Sequence, residues 1–238
     1  MTWSLIARDP ATGSFGIAVA TKNFAVGCRV PFIESGIGAI ATQALVNPFY
    51  GAHGLYFLQD EMPPADIIQI LTEGDEGRDQ RQVHIMDRHG RVAAHTGSAC
   101  VDWCGHTAGE GFSVAGNMLA GPAVIEQTAK TYAANAALPF PRRLIAALRA
   151  GEAAGGDKRG KQSSALVIYG EEEWPDLDLR VDDHADPLAE LERLEKVSRE
   201  RWVHFAKFLP NAKNPHGELD RAKIEAGIAA ALAAEAEK

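Results

Sequence analysis

The sequence predicts an α+β protein in which layered sheets are covered by pairs of helices. Apolar and polar residues alternate with a period of two around tight turns, which indicates strand hairpins near the start of the chain and again near its middle. The predicted order is strands, two helices, strands, two helices, strands, unlike the strict alternation of a doubly wound parallel sheet. The 238 residues are 46% hydrophobic and 24% charged, which is an ordinary composition for a folded protein.

The chain opens with a predicted hairpin. The run WSLIARD alternates, turn residues follow at 9–13, and the run FGIAVAT (15–21) returns. One face of the returning strand holds only Gly16, Ala18 and Ala20. A face of such small residues admits a second sheet, a helix or a ligand at close range.

The later elements follow from the same periodicities and from Pro and Gly at element ends. Up to residue 136 they are a buried strand at GIGAIATQ (36–43), a helix from NPFYG (47–51) to Gln59, a helix from Pro64 to about Gly74, a hairpin of VHIMD and RVAAHTG, a strand at GFSVAGNML (111–119) and a helix from Pro122 to about Ala136. Beyond residue 136 they are a helix at RRLIAALRAG that Gly151 ends, a polar loop at GGDKRGKQ (155–162) and a strand at SALVIYG.

The character of the sequence changes after LDLRVDDH. Asp186 is a typical helix N-cap, Pro187 suits the first helical position, and apolar residues then recur at spacings of three and four as far as Phe205. The alanine- and glutamate-rich tail is helical by propensity. We expect a main domain over 1–185 and a helical extension over 186–238, which packs on the domain or forms a homodimer.

Charge and composition exclude several classes of partner. The chain has 24 basic and 32 acidic residues, a net charge of −8, which argues against nucleic acid and anionic membranes as partners. We find no apolar run long enough to span a membrane and no signal-peptide pattern at the start. Three cysteines do not make a disulfide framework, so we expect a cytoplasmic protein.

Thr2 is the first candidate catalytic residue. Initiator methionine is normally removed before a small residue such as threonine, which would leave Thr2 as the first residue of a strand. Its hydroxyl would then be a nucleophile and its own α-amine the base. The unperturbed pKa of such an amine, about 7.7–8.0, leaves a useful fraction neutral near pH 7. The alternative is that Thr2 only begins a strand.

The loop GGDKRGKQSS is the second candidate, because glycines allow close approach and charges and amides gather on it. It is either a substrate-holding loop, in which Arg159 pairs with a carboxylate or carbonyl, or a solvated turn. Gln43 and Asn117 end apolar strands with a carboxamide, which suits an oxyanion or amide-recognising pocket, or merely caps a strand. The candidate substrate-binding residues are Lys22, Asn23, Gln43, His106, Asp157, Arg159, Gln162 and Ser163.

The segment HTGSACVDWCGH holds His95, Cys100, Cys104 and His106 within twelve residues. Its spacing does not match structural zinc sites, so we expect no metal, although a metalloprotein stays a third possibility. The chain has neither a P-loop nor a dinucleotide fingerprint, and we expect no cofactor. It also has no G-x-S-x-G elbow for a Ser-His-Asp triad.

Several of these segments together resemble, in order and spacing, the bacterial family catalogued as domain of unknown function 1028. They are MTWSLIARDPATGSFGIAVAT, GIGAIATQALVNPFYG, TGSACVDWCGH, GNMLAGP, GGDKRGKQSSAL and LRVDDHADPLAELERL, spread over about residues 1–195. That family is similar in fold to the N-terminal nucleophile (Ntn) hydrolases. The resemblance implies a four-layer αββα sandwich, two antiparallel sheets between helix pairs, with Thr2 as nucleophile. It also shows one departure. Proteasome-type members carry a lysine on the third strand, and GIGAIATQ has none, so that role is empty or falls to Lys22 or another group.

We therefore expect an amidohydrolase that cleaves an amide or ureido bond in a small molecule or short peptide. Thr2 would attack, Asn117 would support the oxyanion, and the basic residues of the loop would suit an anionic or amide-containing substrate. The alternative is a small-molecule-binding or assembly protein on the same scaffold, without the chemistry.

Overall fold

The structure, a computed structural model, describes residues 2–236. Its strands are β1 (Thr2–Arg8), β2 (Phe15–Thr21), β3 (Pro31–Glu34), β4 (Gly38–Ala44), β5 (Arg81–Asp87), β6 (Val92–Thr96), β7 (Trp103–Gly109), β8 (Phe112–Leu119), β9 (Ser163–Tyr169) and β10 (Pro175–Val181). Its α-helices are α1 (Phe49–Gln59), α2 (Pro64–Glu73), α3 (Ala123–Ala134), α4 (Phe140–Ala153), α5 (Pro187–Glu200), α6 (Trp202–Phe205) and α7 (Arg221–Ala236).

The strands form two antiparallel sheets that pack face to face. One sheet has the order β10-β9-β2-β1-β8-β7 and the other β3-β4-β5-β6. Helices α3 and α4 cover the six-stranded sheet, and α1 and α2 cover the four-stranded sheet. The predicted α+β fold of four αββα layers is confirmed.

The alternation in β1 decides which side chains face each layer. Ile6 belongs to the apolar cluster between the sheets, and Ser4 contacts residues of the opposite sheet. Thr2 shares this inner face because side chains alternate along a strand. Trp3 lies on the outer face, against α4 near Gly151.

The glycine and alanine face of β2 packs against a helix. A Cβ atom at Gly16 would lie 2.6 Å from Leu144 Cδ1 and 2.9 Å from Phe140 Cε1, both on α4. Helix α4 can approach this sheet because the residue has no side chain. The close approach predicted for this face is therefore made by a helix.

Three strands were missed by the sequence prediction: β3, β7 and β10, the last of which also lies at an edge of the six-stranded sheet. Strand β3 is short, half-buried and begins with proline, so it lacks the alternation of a longer strand. Strand β7 lies at the edge of its sheet, contains Gly105 and Gly109 and has an irregular register between Trp103 and Gly105. Exposed edge strands of this kind carry little apolar periodicity.

Two predicted helix ends were wrong. Gly151 does not end its helix, since α4 continues to Ala153. A Cβ atom at Gly151 would meet Thr128 and would lie 2.9 Å from Trp3 Nε1, so this glycine serves close packing. The amphipathic run after Asp186 is not one helix either, because Arg201 adopts φ −153° and ψ −48° and separates α5 from α6.

The chain divides into two compact units, one up to Leu191 and one from Glu192 onward. Within the second unit, Arg201 makes a two-pronged ion pair with Glu225 at 2.6 and 2.8 Å, and His204 and Ile228 are buried. No helix in residues 2–236 has the length and apolar character needed to cross a membrane.

Candidate active site at the start of the central strand

A row of polar residues crosses four neighbouring strands at one end of the six-stranded sheet. Ser163 of β9 pairs with Thr21 of β2, and Thr2 of β1 pairs with Asn117 of β8. The register between β1 and β2 pairs Trp3 with Ala20. One residue further along the pair, the same register places Thr2 opposite Thr21. Directly opposed residues point to the same face of a sheet, so the four side chains lie side by side.

Thr2 is held within this row. Its hydroxyl donates to the Thr21 hydroxyl over 3.2 Å, and the residue is 6% exposed. The carbonyl oxygen of Thr2 accepts from Gln43 Nε2 and Asn117 Nδ2, each at 3.4 Å. Met1, whose removal the N-terminal mechanism requires, lies outside the described residues.

The polar loop 155–162 reaches the same end of the sheet and is anchored by Asp157. The Asp157 carboxylate is buried and accepts from the backbone N–H of Lys22 at 2.7 Å and of Arg159 at 2.9 Å. The backbone N–H of Gln162 donates to the Thr21 carbonyl at 2.9 Å. Asp157 therefore fixes the loop beside β2, and its predicted contact with substrate stays a prediction.

The basic side chains around the loop are mostly paired with acids. Arg159 meets Asp157 through Nε and Nη2, at 3.4 and 3.2 Å, and its side chain is 37% exposed. The other loop cations form ion pairs, and Lys22 Nζ donates to a backbone carbonyl. These contacts are Lys158 with Asp102, Lys161 with Asp186 and Glu152, and Lys22 with Lys161 O. The loop is thus nearly balanced in charge, and its positive residues do not act as a free cationic patch.

The remaining candidates of the loop have structural contacts as well. Ser163 Oγ donates to the Asn23 carbonyl and accepts from the Val26 N–H, which joins β9 to the segment after β2. Gln162 Nε2 donates to Asp183 at 3.0 Å. The structure brings these residues to the Thr2 end of the sheet, and their roles in binding stay predictions.

Behind Thr2, a cluster of three carboxamides joins the two sheets. Gln82 Oε1 accepts from Gln43 Nε2 at 2.8 Å and from Asn117 Nδ2 at 3.0 Å. Gln43 is 1% exposed and Asn117 2% exposed. Both amide hydrogens of Asn117 are directed at Thr2 and Gln82, so Asn117 supports the Thr2 backbone, and its oxyanion role stays a prediction. Contact of the buried Gln43 with substrate likewise stays a prediction.

The cluster continues inward to a buried serine–histidine pair whose proton positions follow from its contacts. Gln43 Nε2 also donates to the Ala115 carbonyl, so its Oε1 accepts from the Ser4 hydroxyl at 2.7 Å. The 2.8 Å contact between Ser4 Oγ and His84 Nε2 then requires His84 to donate. His84 Nδ1 accepts from Ser113 at 2.9 Å.

This arrangement excludes Ser4 as an activated nucleophile. A base must accept the serine proton, whereas His84 donates to Ser4. Burial, with a smaller effect of the charge of His106, lowers the pKa of His84 to about 3, so the ring is neutral near pH 7. The pair is a structural part of the interior.

His106 lies at the exposed end of the same network, and the other soft ligands lie nearby. His106 Nδ1 contacts Thr96 Oγ1 at 2.9 Å, and Thr96 accepts from Gln82 Nε2. Burial, and then the charge of His95, lower the pKa of His106. Within residues 2–236, no group of three or more His, Cys, Asp or Glu side chains is arranged to hold a metal ion.

Three residues of this site were missed by the sequence prediction: Thr21, Gln82 and His84. Each is polar and lies in or beside an apolar strand run. Gln82 directly precedes VHIMD and pairs with Gln43 across the ladder. The signal in the sequence was a polar residue within an apolar strand run. Only the packing of the two sheets shows which side chain that residue contacts.

The fold and the site define an αββα sandwich with a buried polar cluster at the start of its central strand. The chain belongs to the family described as a family of unknown function (DUF1028), whose model matches residues 2–191. A crystal structure of protein SPO2555 from Silicibacter pomeroyi, which carries the same family designation, is similar to it. That structure has 34% sequence identity and a TM-score of 0.85, and the match covers 92% of this chain and 99% of the other. The comparison with curated proteins gives no match.

Proposed function

We propose that the protein is an amidohydrolase of the N-terminal nucleophile type, with Thr2 as nucleophile after removal of Met1. One observation carries the proposal. The Thr2 hydroxyl stands at the start of the central strand, 3.2 Å from the Thr21 hydroxyl, with its carbonyl oxygen within 3.4 Å of two carboxamides. Rigid support of this kind is what a nucleophile and base on a single residue require.

The chemistry needs only one residue for nucleophile and base. The free α-amine of Thr2 takes the hydroxyl proton as Oγ1 attacks the carbonyl carbon of the substrate. The ammonium so formed gives that proton to the leaving nitrogen as the C–N bond breaks, which leaves an ester on Thr2. Water, giving its proton to the same amine, then cleaves the ester, releases the acid and restores the hydroxyl.

The substrate that suits this site is a small amide or ureido compound, or a short peptide. Arg159 uses Nε and Nη2 for Asp157 and has a partly exposed side chain, so Nη1 is the group we assign to a carboxylate or carbonyl of the substrate. Lys22, Asn23, Gln162, Ser163 and His106 complete the proposed binding surface. The three cysteines are free thiols, which suits a cytoplasmic location.

Intact mass, active-site labelling and two threonine variants test the proposal. We expect purified protein to lack the mass of Met1 and to form one covalent adduct with a small β-lactone at Thr2. Thr2→Ala should abolish the adduct and any hydrolysis found in a panel of amides, while Thr2→Ser should keep part of both. Thr12→Ala, in the exposed turn after β1, is the matched control and should react like wild type. Retention of Met1, or hydrolysis that survives Thr2→Ala, would refute the mechanism.

The second candidate is a binding protein without hydrolytic chemistry, and one observation favours it. Strand β4 contains no lysine, and Lys22 Nζ donates to the Lys161 carbonyl at 3.2 Å. In this conformation the Lys22 ammonium is used elsewhere and does not adjust the protonation of Thr2. Ligands that raise the melting temperature without being converted would support this candidate, and hydrolysis of a stabilising ligand at Thr2 would exclude it.

A further inference from the structure

Gln82, the second residue of β5, is the centre of the hydrogen bonds behind Thr2. It is fully buried, and its Nε2 lies within hydrogen-bond distance of the carbonyls of Gly116 at 2.8 Å and Gly105 at 3.1 Å, and of Thr96 Oγ1 at 2.9 Å. All three of these groups can accept a hydrogen bond. They therefore fix the orientation of the Gln82 amide, with Nε2 toward the backbone of β7 and β8.

The opposite atom of the same amide faces the two side chains that reach Thr2. Gln82 Oε1 accepts from Gln43 Nε2 at 2.8 Å and from Asn117 Nδ2 at 3.0 Å. Each of these nitrogens also lies 3.4 Å from the Thr2 carbonyl oxygen. The bonds to Gln82 are shorter than those to Thr2, so Gln82 holds both amides in place, together with Ser4 and the Ala115 carbonyl at Gln43.

We infer that Gln82 is the positioning residue for Thr2, an inference that rests on the proposed function. It holds the two amides that support the Thr2 backbone, which keeps the amine and the hydroxyl of one residue in a fixed relation. Its neutrality matters too. A carboxylate at position 82, separated from the Thr2 carbonyl oxygen by one carboxamide, would favour the protonated amine, whereas three carboxamides add no such charge.

The test measures the Thr2 amine directly, so it needs no substrate. The amine of the full chain is reductively methylated with ¹³C-formaldehyde and a cyanoborohydride, and is titrated by NMR in wild type, Gln82→Glu and Gln80→Glu. Gln80 is exposed and two residues away, so its variant adds the same charge outside the cluster. We expect Gln82→Glu to raise the pKa of the amine by about one unit or more, and Gln80→Glu to change it much less.

A second variant covers the outcome in which Gln82→Glu does not fold. Gln82→Met keeps the length of the side chain and removes its polar atoms. We expect its Trp3 and Ser4 backbone amides to exchange with deuterium at least about tenfold faster than in wild type, a factor that corresponds to ~1.4 kcal/mol. The rate of β-lactone labelling should fall by a similar factor.

The two proposals fail in different ways. If exchange in Gln82→Met equals wild type, the positioning role is overturned. If Gln82→Glu and Gln80→Glu give the same amine pKa, the importance of a neutral group at position 82 is overturned. Wild-type protein that lacks Met1 but is never labelled at Thr2 would instead overturn the proposed function, and the exchange and pKa comparisons would still decide the role of Gln82.

Discussion

At the scale of single residues, the unusual feature of this protein is how many polar side chains it buries between its sheets. Ser4, Gln43, Gln82, His84 and Ser113 are each at most 1% exposed. A buried polar group is tolerated when its hydrogen bonds are made, and these residues bond to one another and to strand carbonyls. These five side chains thus make directional hydrogen bonds and carry no charge near pH 7.

The neutral form of His84 predicts how stability depends on pH. The pKa of His84 is about 3 in the folded protein and about 6.5 in an unfolded chain. Below pH 6.5 the unfolded chain binds the proton and the folded protein does not, so acid destabilises the fold. We expect His84 to account for a loss of about 2 kcal/mol between about pH 7 and pH 5, measured by urea denaturation.

Two variants distinguish the effect of His84 on stability from the effects of the other titrating groups. His84→Gln should lower stability near neutral pH and flatten its dependence on pH over the same interval. His89→Gln changes an exposed histidine of the following turn and should keep the wild-type slope. An unchanged slope in His84→Gln would mean that His84 is not the group responsible.

At the scale of elements, the position of the loop 155–162 is fixed by the Asp157 carboxylate more than by the glycines of the loop. Asp157 joins the loop to the backbone of Lys22, directly after β2, and forms an isolated bridge with Leu119 at the end of β8. The loop is thereby tied to two strands on either side of β1. The contacts of Asp157 that join the loop to this end of the sheet also hold Arg159, a candidate substrate-binding residue.

Asp157→Ala should therefore release the loop. The substitution removes the carboxylate that accepts the partly buried hydrogen bond from the Lys22 N–H, which we expect to cost about 1–3 kcal/mol of folding stability. Hydrogen–deuterium exchange should show protection lost first in 155–163 and at Lys22. Asp178→Ala, on the exposed face of β10, is the control and should leave exchange in the loop unchanged. Equal exchange in the two variants would show that the loop is held by other contacts.

The elements also show what the sequence could and could not predict. Hairpins and amphipathic helices were predicted because their periodicity depends only on which face is buried, as in β1, β2 and α2. The start of strand β7 was expected to be a loop, because cysteines and histidines in an edge strand hide its weak alternation. Gly151 was read as a helix end because a glycine that ends a helix and one that permits close packing look the same in one sequence.

The site was predictable only in part, for a related reason. Thr2, Asp157 and Arg159 were predicted as candidates because their local chemistry is unusual for the place where they occur, and the structure brings them to one end of the sheet. Gln82 was not found, since its importance lies in partners 39, 35 and 14 residues away along the chain. Contacts of this kind are set by the packing of one sheet on another, which no local pattern records.

At the scale of the whole molecule, the family model ends at residue 191, where the first compact unit also ends. The family's fold and the candidate site both fall in that first unit. The second unit presents apolar side chains to solvent. They are Val197, 41% exposed, Trp202, 41%, Leu219, 80%, and Leu232, 37%. Exposed apolar residues mark an interaction surface where they form one contiguous patch.

We therefore expect a homodimer formed through the second unit. Sedimentation equilibrium should give about twice the chain mass of 25.5 kDa, and Trp202→Ser should shift the equilibrium toward monomer by at least about tenfold in Kd, because aromatic side chains dominate such interfaces. Tyr56→Ser removes an exposed aromatic residue from α1 in the first unit and should leave the dimer intact. A monomeric wild type would end the prediction. A dimer that resists Trp202→Ser but is weakened by Tyr56→Ser would place the interface on the sandwich itself, in which case the extension would have to be explained by another partner.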